Sequence, residues 1–310
     1  TLTASASGGD TYSVTNKAVQ PDGSVEDQSG NAIVYTGYEW RARLNTPDGQ
    51  VLHIGTASAD GNTARGRVMS AEHDEIGGHY RAVRVRPGHS EILAVGPSYI
   101  RAGDATEVAI HGTGLSGGVD LGAGVEVVET VSANADTVVV KAMAADGAAI
   151  GARSVSVGDT ASAGDAFVVY DRLAAVQVEP GYAIARVGEG GGPIPDQYAV
   201  FDAVGYMAGA DGEAGTDDDV RIGVMPATWS VAPFDDVAAE LDDTTFAGEI
   251  APSSGLFDPA VAGLNPARPF STNNAGNLKV VATVPEVGGA VTGEGQLIVT
   301  VQRWNTPPIR

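Results

Sequence analysis

The chain has 310 residues, enough for two or three domains. Its 18 Lys and Arg residues against 39 Asp and Glu residues give a formal net charge of −21, which disfavours binding to nucleic-acid phosphates or anionic membrane surfaces. No stretch approaches 18 consecutive apolar residues, so the sequence predicts no membrane-spanning helix. The absence of cysteine excludes disulfides, thiol catalysis, cysteine-ligated zinc, iron–sulfur clusters and the C-x-x-C-H attachment of haem. Residues 1–7 lack the basic and apolar segments of a signal peptide and indicate a mature or internal end.

Apolar and polar residues alternate along much of the chain. From Tyr38 to Leu44 each aromatic or aliphatic residue is followed by a charged one, which predicts a half-buried strand. Shorter segments with the same period are 106–110, 125–127, 138–140, 155–157, 222–224, 278–282 and 297–301. Turn signals separate them, namely Pro-Asp-Gly at 21–23 and 47–49, Asp-Gly at 60–61 and 146–147, and Gly-Gly at 77–78 and 288–289. Only residues 234–243 favour a helix, and a short one. The sequence predicts an all-β protein with antiparallel sheets.

Two breaks divide the pattern into three blocks. The first is the basic Arg-Pro-Gly-His segment at 86–89, and the second lies at 170–173. We therefore predict domains at 1–87, 88–171 and 172–310. The first is expected to be a small antiparallel β-barrel or sandwich, and the other two immunoglobulin-like sandwiches.

The second and third blocks each carry a fold-level resemblance. Residues 92–97, 101–104 and 108–115 form a strand ending in Pro, a Gly-bearing turn and a strand with a G-x-G bend, and they resemble the TIG-type immunoglobulin-like domain. Residues 227–231 place Trp229 on an early central strand, as in bacterial immunoglobulin-like domains, where such a Trp packs between the two sheets. These resemblances imply a fold and leave the function open.

Two segments contain residue types that bind metals. The loop 210–219 gathers Asp211, Glu213 and Asp217–Asp219 among glycines, and carboxylates that converge in this way suit Ca²⁺. Its spacing is not that of an EF-hand, and we favour a solvated hairpin loop between Tyr206 and Val220. The segment 71–79 holds His73 and His79 beside three acids, which could ligate zinc. We favour a polar hairpin end, because the Gly-Gly turn separates the two histidines.

The remaining motifs predict no catalytic chemistry. The glycine-rich segment 188–193 lacks the Lys-Ser/Thr and the helix of a phosphate-binding loop and is interpreted as flexible. No G-x-S-x-G nucleophile motif occurs. The pairs Asp235-Asp236 and Asp242-Asp243 are interpreted as solvated faces. No catalytic, cofactor-binding or metal-binding residue is therefore predicted.

Longer sequence segments in all three blocks resemble the sequences of one family. Together they are similar to the large (alpha) subunit of bacterial quinohaemoprotein amine dehydrogenase, specifically to its second, third and fourth domains. The segments are Tyr-Thr-Gly-Tyr-Glu-Trp-Arg-Ala at 35–42, Ala-Glu-His-Asp-Glu-Ile-Gly at 71–77, Asp-Leu-Gly-Ala-Gly-Val-Glu-Val-Val-Glu at 120–129, Arg-Ile-Gly-Val-Met-Pro-Ala-Thr-Trp-Ser-Val at 221–231, Asn-Asn-Ala-Gly-Asn-Leu-Lys-Val-Val-Ala-Thr-Val at 273–284 and Gln-Arg-Trp-Asn-Thr-Pro-Pro at 302–308.

This resemblance implies a role without chemistry of its own. The family's subunit also has a di-haem cytochrome c domain, a small subunit holds the cysteine tryptophylquinone that oxidises primary amines to aldehydes, and a β-propeller subunit packs nearby. No haem or quinone residue has a counterpart here, so we expect no cofactor in this chain. The expected role is a periplasmic scaffold for those partners, with Trp304, Pro307 and Pro308 as either an anchor or a packed tail. The alternative is a free-standing secreted immunoglobulin-like binding or adhesion module.

Overall fold

The computed structural model describes residues 1–19, 25–162, 164–189 and 194–301. Within these ranges the chain is almost entirely β, as predicted, and its sheets are mainly antiparallel. It divides into two compact units, Thr1–His89 and Ser90–Arg310. No helix among the described residues is long and apolar enough to cross a membrane.

Within the described residues, the first unit is one sheet of seven strands in which each strand pairs with the next. The strands are β1 (Leu2–Gly8), β2 (Thr11–Val19), β3 (Val25–Val34), β4 (Glu39–Thr46), β5 (Gly49–Ala57), β6 (Thr63–Ser70) and β7 (Gly77–Val83). The barrel expected as one form of this block is not observed, because within the described residues no pairing joins β7 to β1. The sheet is therefore open.

The alternation in β4 sets the two faces of this sheet. Ala42 and Leu44 are buried with Val14 and Ala32 in a small core, whereas Arg41 and Arg43 are exposed. This is the pattern that the period of two predicted.

Two glycines lie at the centre of the same sheet, beneath aromatic rings. Gly55 on β5 pairs with Trp40 on one side and with Gly66 on the other, and Gly66 pairs with Tyr80. The rings of Trp40 and Tyr80 meet edge to face, 6.3 Å apart between centroids. A Cβ on Gly55 would lie 2.1 Å from the Tyr80 hydroxyl. The glycines are therefore required by the aromatic pair that covers them.

In the part of the chain that the structure describes, the second unit begins with a sandwich of ten strands. Its sheets are β12-β13-β10-β8, β11-β15-β16 and β14-β17-β9. The core contains Val108, Ile110, Val140 and Phe167, all fully buried. The strands are β8 (Glu91–Gly96), β9 (Tyr99–Arg101), β10 (Ala105–Thr113), β11 (Val119–Asp120), β12 (Val125–Ala133), β13 (Thr137–Ala144), β14 (Gly151–Arg153), β15 (Ser156–Val157), β16 (Thr160–Ala161) and β17 (Phe167–Tyr170).

Among the described residues, a further ten strands and two short α-helices form the third β-domain. Its sheets are β18-β21-β22, β19-β27-β26-β23 and β20-β25-β24. The elements are β18 (Ala175–Glu179), β19 (Tyr182–Arg186), β20 (Ala199–Val200), β21 (Asp202–Met207), β22 (Val220–Val224), β23 (Thr228–Pro233), α1 (Asp236–Glu240), α2 (Asp243–Phe246), β24 (Gly248–Ile250), β25 (Leu256–Pro259), β26 (Gly276–Glu286) and β27 (Gly289–Thr300). Its core contains Phe201, Trp229, Phe257, Leu278 and Leu297.

Trp229 is buried in the core, as the sequence predicted, but it lies on the edge strand of its sheet and not on a central one, because in the described sheet β23 pairs on one side only. It lies on β23, which pairs with β26, and only 5% of its surface is exposed. Its ring packs 6.4 Å from that of Phe201.

The two sandwiches of the second unit share the strand β17. Phe167 and Val169 point into the core of the first sandwich, and Val168 between them belongs to the core of the next. Arg101 adds polar contacts across the same junction, because its Nε donates to the carbonyl of Asp171 at 3.0 Å and lies 3.8 Å from Glu286. Glu286 also accepts a hydrogen bond from the backbone of Leu173. The two sandwiches are therefore packed as one body.

Candidate functional site

The acidic loop 208–219 joins the paired strands β21 and β22. Its carboxylates accept hydrogen bonds from the loop itself. Asp218 accepts from the backbone of Ala210 at 2.6 Å and from the Thr216 hydroxyl at 2.7 Å, and Asp219 accepts from the backbone of Gly215 at 2.7 Å. The Thr216 hydrogen bond is the main reason that the pKa of Asp218 is lowered. These contacts stabilise a closed hairpin loop and occupy oxygens that a calcium ion would need.

The two histidines of the segment 71–79 lie on different elements. His73 is in the loop before β7, with Nδ1 3.8 Å from the Glu75 carboxylate. His79 is on β7 and pairs with Arg67. In the part of the chain that the structure describes, no three His, Asp or Glu side chains are arranged to hold a metal ion.

The glycine-rich segment is described only at its start, since residues 190–193 lie outside the described ranges. Gly188 is buried, and its carbonyl accepts a hydrogen bond from Ala262 at 2.7 Å. Beside it is a cleft of about 420 Å³ lined by the carboxylates of Glu189, Asp196, Glu249 and Asp258. The pKa of Tyr198 in this cleft is raised, mainly by burial and to a smaller extent by the charge of Asp258. The predicted anchor residues Trp304, Pro307 and Pro308 also lie outside the described residues.

The interpretation of Asp242-Asp243 as a solvated face is wrong for Asp243. Asp242 is exposed, but Asp243 at the start of α2 is 2% exposed. Its Oδ1 accepts a hydrogen bond from Arg268 Nη2 at 2.6 Å, and its Oδ2 accepts from the backbone of Asn277 at 2.9 Å. A buried carboxylate needs such partners because desolvation penalises its charged form.

Two buried asparagines fasten the loop that carries Arg268. Asn274 donates to the carbonyls of Phe246 and Val261, both at 3.0 Å, and accepts from the backbone of Gly263. Asn265 donates to the carbonyl of Leu241 at 2.7 Å. The segment between β25 and β26 is thus fixed to both short helices, and we call residues 261–275 the anchored loop.

The sequence carried only weak signals for this arrangement. An acid next to another acid is usually solvated, and the partner Arg268 is 25 residues away from Asp243. The Asn-Pro at 265–266 and the Asn-Asn at 273–274 mark a turn, but they do not show that these asparagines are buried.

Three protein-family models match the chain in order. The model "Quinohemoprotein amine dehydrogenase, alpha subunit domain II" matches residues 1–85, and those of domains III and IV match residues 89–171 and 176–309. The chain belongs to the quinohaemoprotein amine dehydrogenase alpha-subunit family. The resemblance found in the sequence is thereby confirmed for all three blocks.

Other comparisons add nothing to this assignment. No curated protein matches the chain. Among solved structures, N-cadherin EC1-3 of Drosophila is 10% identical, with 96% of this chain and 91% of that chain covered, at a TM-score of 0.29. A gamma-CGTase of Alkalophilic bacillus clarkii is 13% identical, with 94% and 41% covered, at a TM-score of 0.21. TM-scores this low support no conclusion about function.

The residues of this alpha-subunit region do not fit the cofactors that the family name implies. Haem c is attached through the cysteines of a C-x-x-C-H motif, and the quinone expected from the resemblance is linked through cysteine. The chain has no cysteine. It therefore provides no covalent attachment for either group.

Proposed function

We propose that this chain is the non-catalytic β-domain scaffold of a periplasmic quinohaemoprotein amine dehydrogenase. The complex oxidises primary amines to aldehydes, and electrons pass through a quinone and haems held in other domains or chains. The partners are a di-haem cytochrome c domain, a β-propeller subunit and a small quinone-bearing subunit. The observation that carries the proposal is the succession of three alpha-subunit domain matches over residues 1–309.

The architecture of the second unit suits a scaffold. Two sandwich cores are joined through Val168 and tied by Arg101 and Glu286, so partners bound to the two sandwiches would keep a fixed spacing. The buried pair Asp243–Arg268 fixes the loop beside the short helices in the same way. A rigid surface loses little conformational entropy when a partner binds, which favours stable assembly.

Two measurements test this proposal. The purified 310-residue chain should show no haem Soret band and no reduction of an electron-accepting dye with a primary amine. The same chain, co-expressed with the other subunits, should co-purify in a complex that does reduce the dye. A Soret band or amine-dependent turnover from this polypeptide alone would overturn the proposal, as would a chain that stays monomeric beside the other subunits.

A further inference from the structure

The anchored loop holds an aromatic side chain entirely in solvent. Phe270 is 99% exposed, the highest value among the large apolar side chains that are described. Its backbone lies in the left-handed region at φ 60°, and Ser271 follows at φ 46°. This region is unfavourable for residues other than glycine, most of all for bulky ones. Among the described residues, no burial of the ring offsets the cost of this conformation.

The conformation persists because the loop is held on both sides of Phe270. Arg268 donates to Asp243 at 2.6 Å and to the carbonyl of Ala275 at 2.8 Å. Ser271 donates its backbone N–H to the carbonyl of Arg268 at 2.9 Å, which closes the turn at the tip. The Phe270 ring is therefore presented on a rigid support. Strained residues on over-determined supports concentrate at functional sites.

The anchored loop and the helix α1 both carry exposed apolar side chains, and α1 also carries exposed acids. Leu264 on the loop is 69% exposed and Val237 on α1 is 61% exposed, and Asn265 links the loop to the end of α1 through Leu241. The exposed charged side chains of α1 and its flanks are all carboxylates, at Asp235, Asp236, Glu240 and Asp242. Residues 90–310 contain 10 Lys and Arg against 29 Asp and Glu. A partner must therefore accept an apolar side chain and also offset negative charge.

We propose that Phe270 is the anchor by which this end of the third β-domain docks onto another subunit of the complex. The docking site on that subunit is an apolar pocket rimmed by Lys and Arg. The inference rests on the proposed scaffold function and adds the surface and the chemistry of the contact. A rigid aromatic residue that fills a desolvated pocket is typical of the residues that dominate binding energy, and complementary charges around it accelerate association.

The test measures binding of this chain to the purified propeller and quinone-bearing subunits by surface plasmon resonance. Phe270→Ala is expected to weaken binding by at least about 30-fold. Val128→Ala, which truncates a 52% exposed side chain on β12 of the other sandwich, is the control and should leave binding within about twofold of the unaltered chain. Phe270→Gly should weaken binding as Phe270→Ala does and should leave the thermal midpoint unchanged or higher, because glycine suits the left-handed backbone. Weaker binding of Phe270→Gly with an undiminished thermal midpoint would therefore show that the binding loss does not come from unfolding.

A double variant tests the proposed attraction between the acidic side chains of α1 and the basic rim of the pocket. Asp236→Asn combined with Glu240→Gln should slow association several-fold and leave the dissociation rate nearly unchanged. A faster association would show that the rim of the pocket is not basic and would overturn the stated partner chemistry. If the unaltered chain binds but Phe270→Ala binds equally well, the anchor is wrong and the scaffold function stands. If the unaltered chain binds neither subunit, the scaffold function fails and the anchor fails with it.

Discussion

The buried pair Asp243–Arg268 gives the sharpest prediction for the stability of the second unit. The Asp243 side chain is 2% exposed and that of Arg268 is 20% exposed, with 2.6 Å between the two charged groups. Removing one partner of a buried pair typically lowers the free energy of unfolding by about 3–5 kcal/mol, since the other charge is left desolvated. Arg268→Met leaves the more deeply buried carboxylate without its charged partner, so its loss of unfolding free energy should lie near the upper end of this range. Asp243→Asn leaves a cation that still reaches water and should cost about 3 kcal/mol.

The assay is urea unfolding followed by the fluorescence of Trp229, with Trp40→Phe and Trp304→Phe removing the other two reporters. The double variant Asp243→Asn/Arg268→Met should lose about 2–3 kcal/mol less than the two single losses together, because the partners interact directly. Lys279→Met is the matched control. Lys279 and Glu294 form a pair at 3.0 Å whose side chains are 33% and 57% exposed, so its loss should cost less than about 1 kcal/mol. Equal losses of unfolding free energy in Arg268→Met and Lys279→Met would refute this reasoning.

Three further outcomes are expected. Trp229→Ala should lower the free energy of unfolding by about 3–5 kcal/mol through lost burial and the cavity it leaves; an unchanged urea midpoint would contradict the core position. Calorimetric titration of the loop 208–219 with Ca²⁺ should show no binding tighter than about millimolar, and a micromolar site abolished by Asp217→Asn would show that the loop binds calcium. Burial lowers the pKa of His53 from its ordinary value of 6.5, so the stability that the neutral form provides is complete above that value and declines as the pH falls below it. Thermal unfolding followed by Trp40 fluorescence should therefore show a falling midpoint below pH 6.5, and His53→Gln should flatten the profile; an unaltered slope in that variant would assign the effect to another group.

The sequence predicted the strands well because burial in a sheet repeats every second residue. The alternation around Trp40 and Ala42 is local, and the structure reproduces it in β4. Pairings between distant segments leave no such periodic signal. The parallel pairs β9–β17 and β19–β27 join strands that are far apart in the chain, and neither was predicted.

The candidate surface was harder to predict than the fold for a related reason. Asp242 and Asp243 are adjacent and of the same residue type, and only the fold brings Arg268 into contact with one of them, Asp243. Phe270 follows a proline in an unremarkable loop, and an exposed phenylalanine cannot be distinguished from a buried one by its type. The loop that carries it is held by Asn265, Asn274 and Arg268, whose contacts span distant segments of the third β-domain.

The strand β17 has a consequence for how the second unit responds to mechanical load. Because Val168 belongs to one core while Phe167 and Val169 belong to the other, neither sandwich can be extended without disturbing its neighbour. Under tension applied at residues 90 and 301 we expect the two to rupture in a single event, rather than in the sawtooth of independent modules. A recombinant fragment beginning at residue 172 would lack Val168 and would open its core at that position.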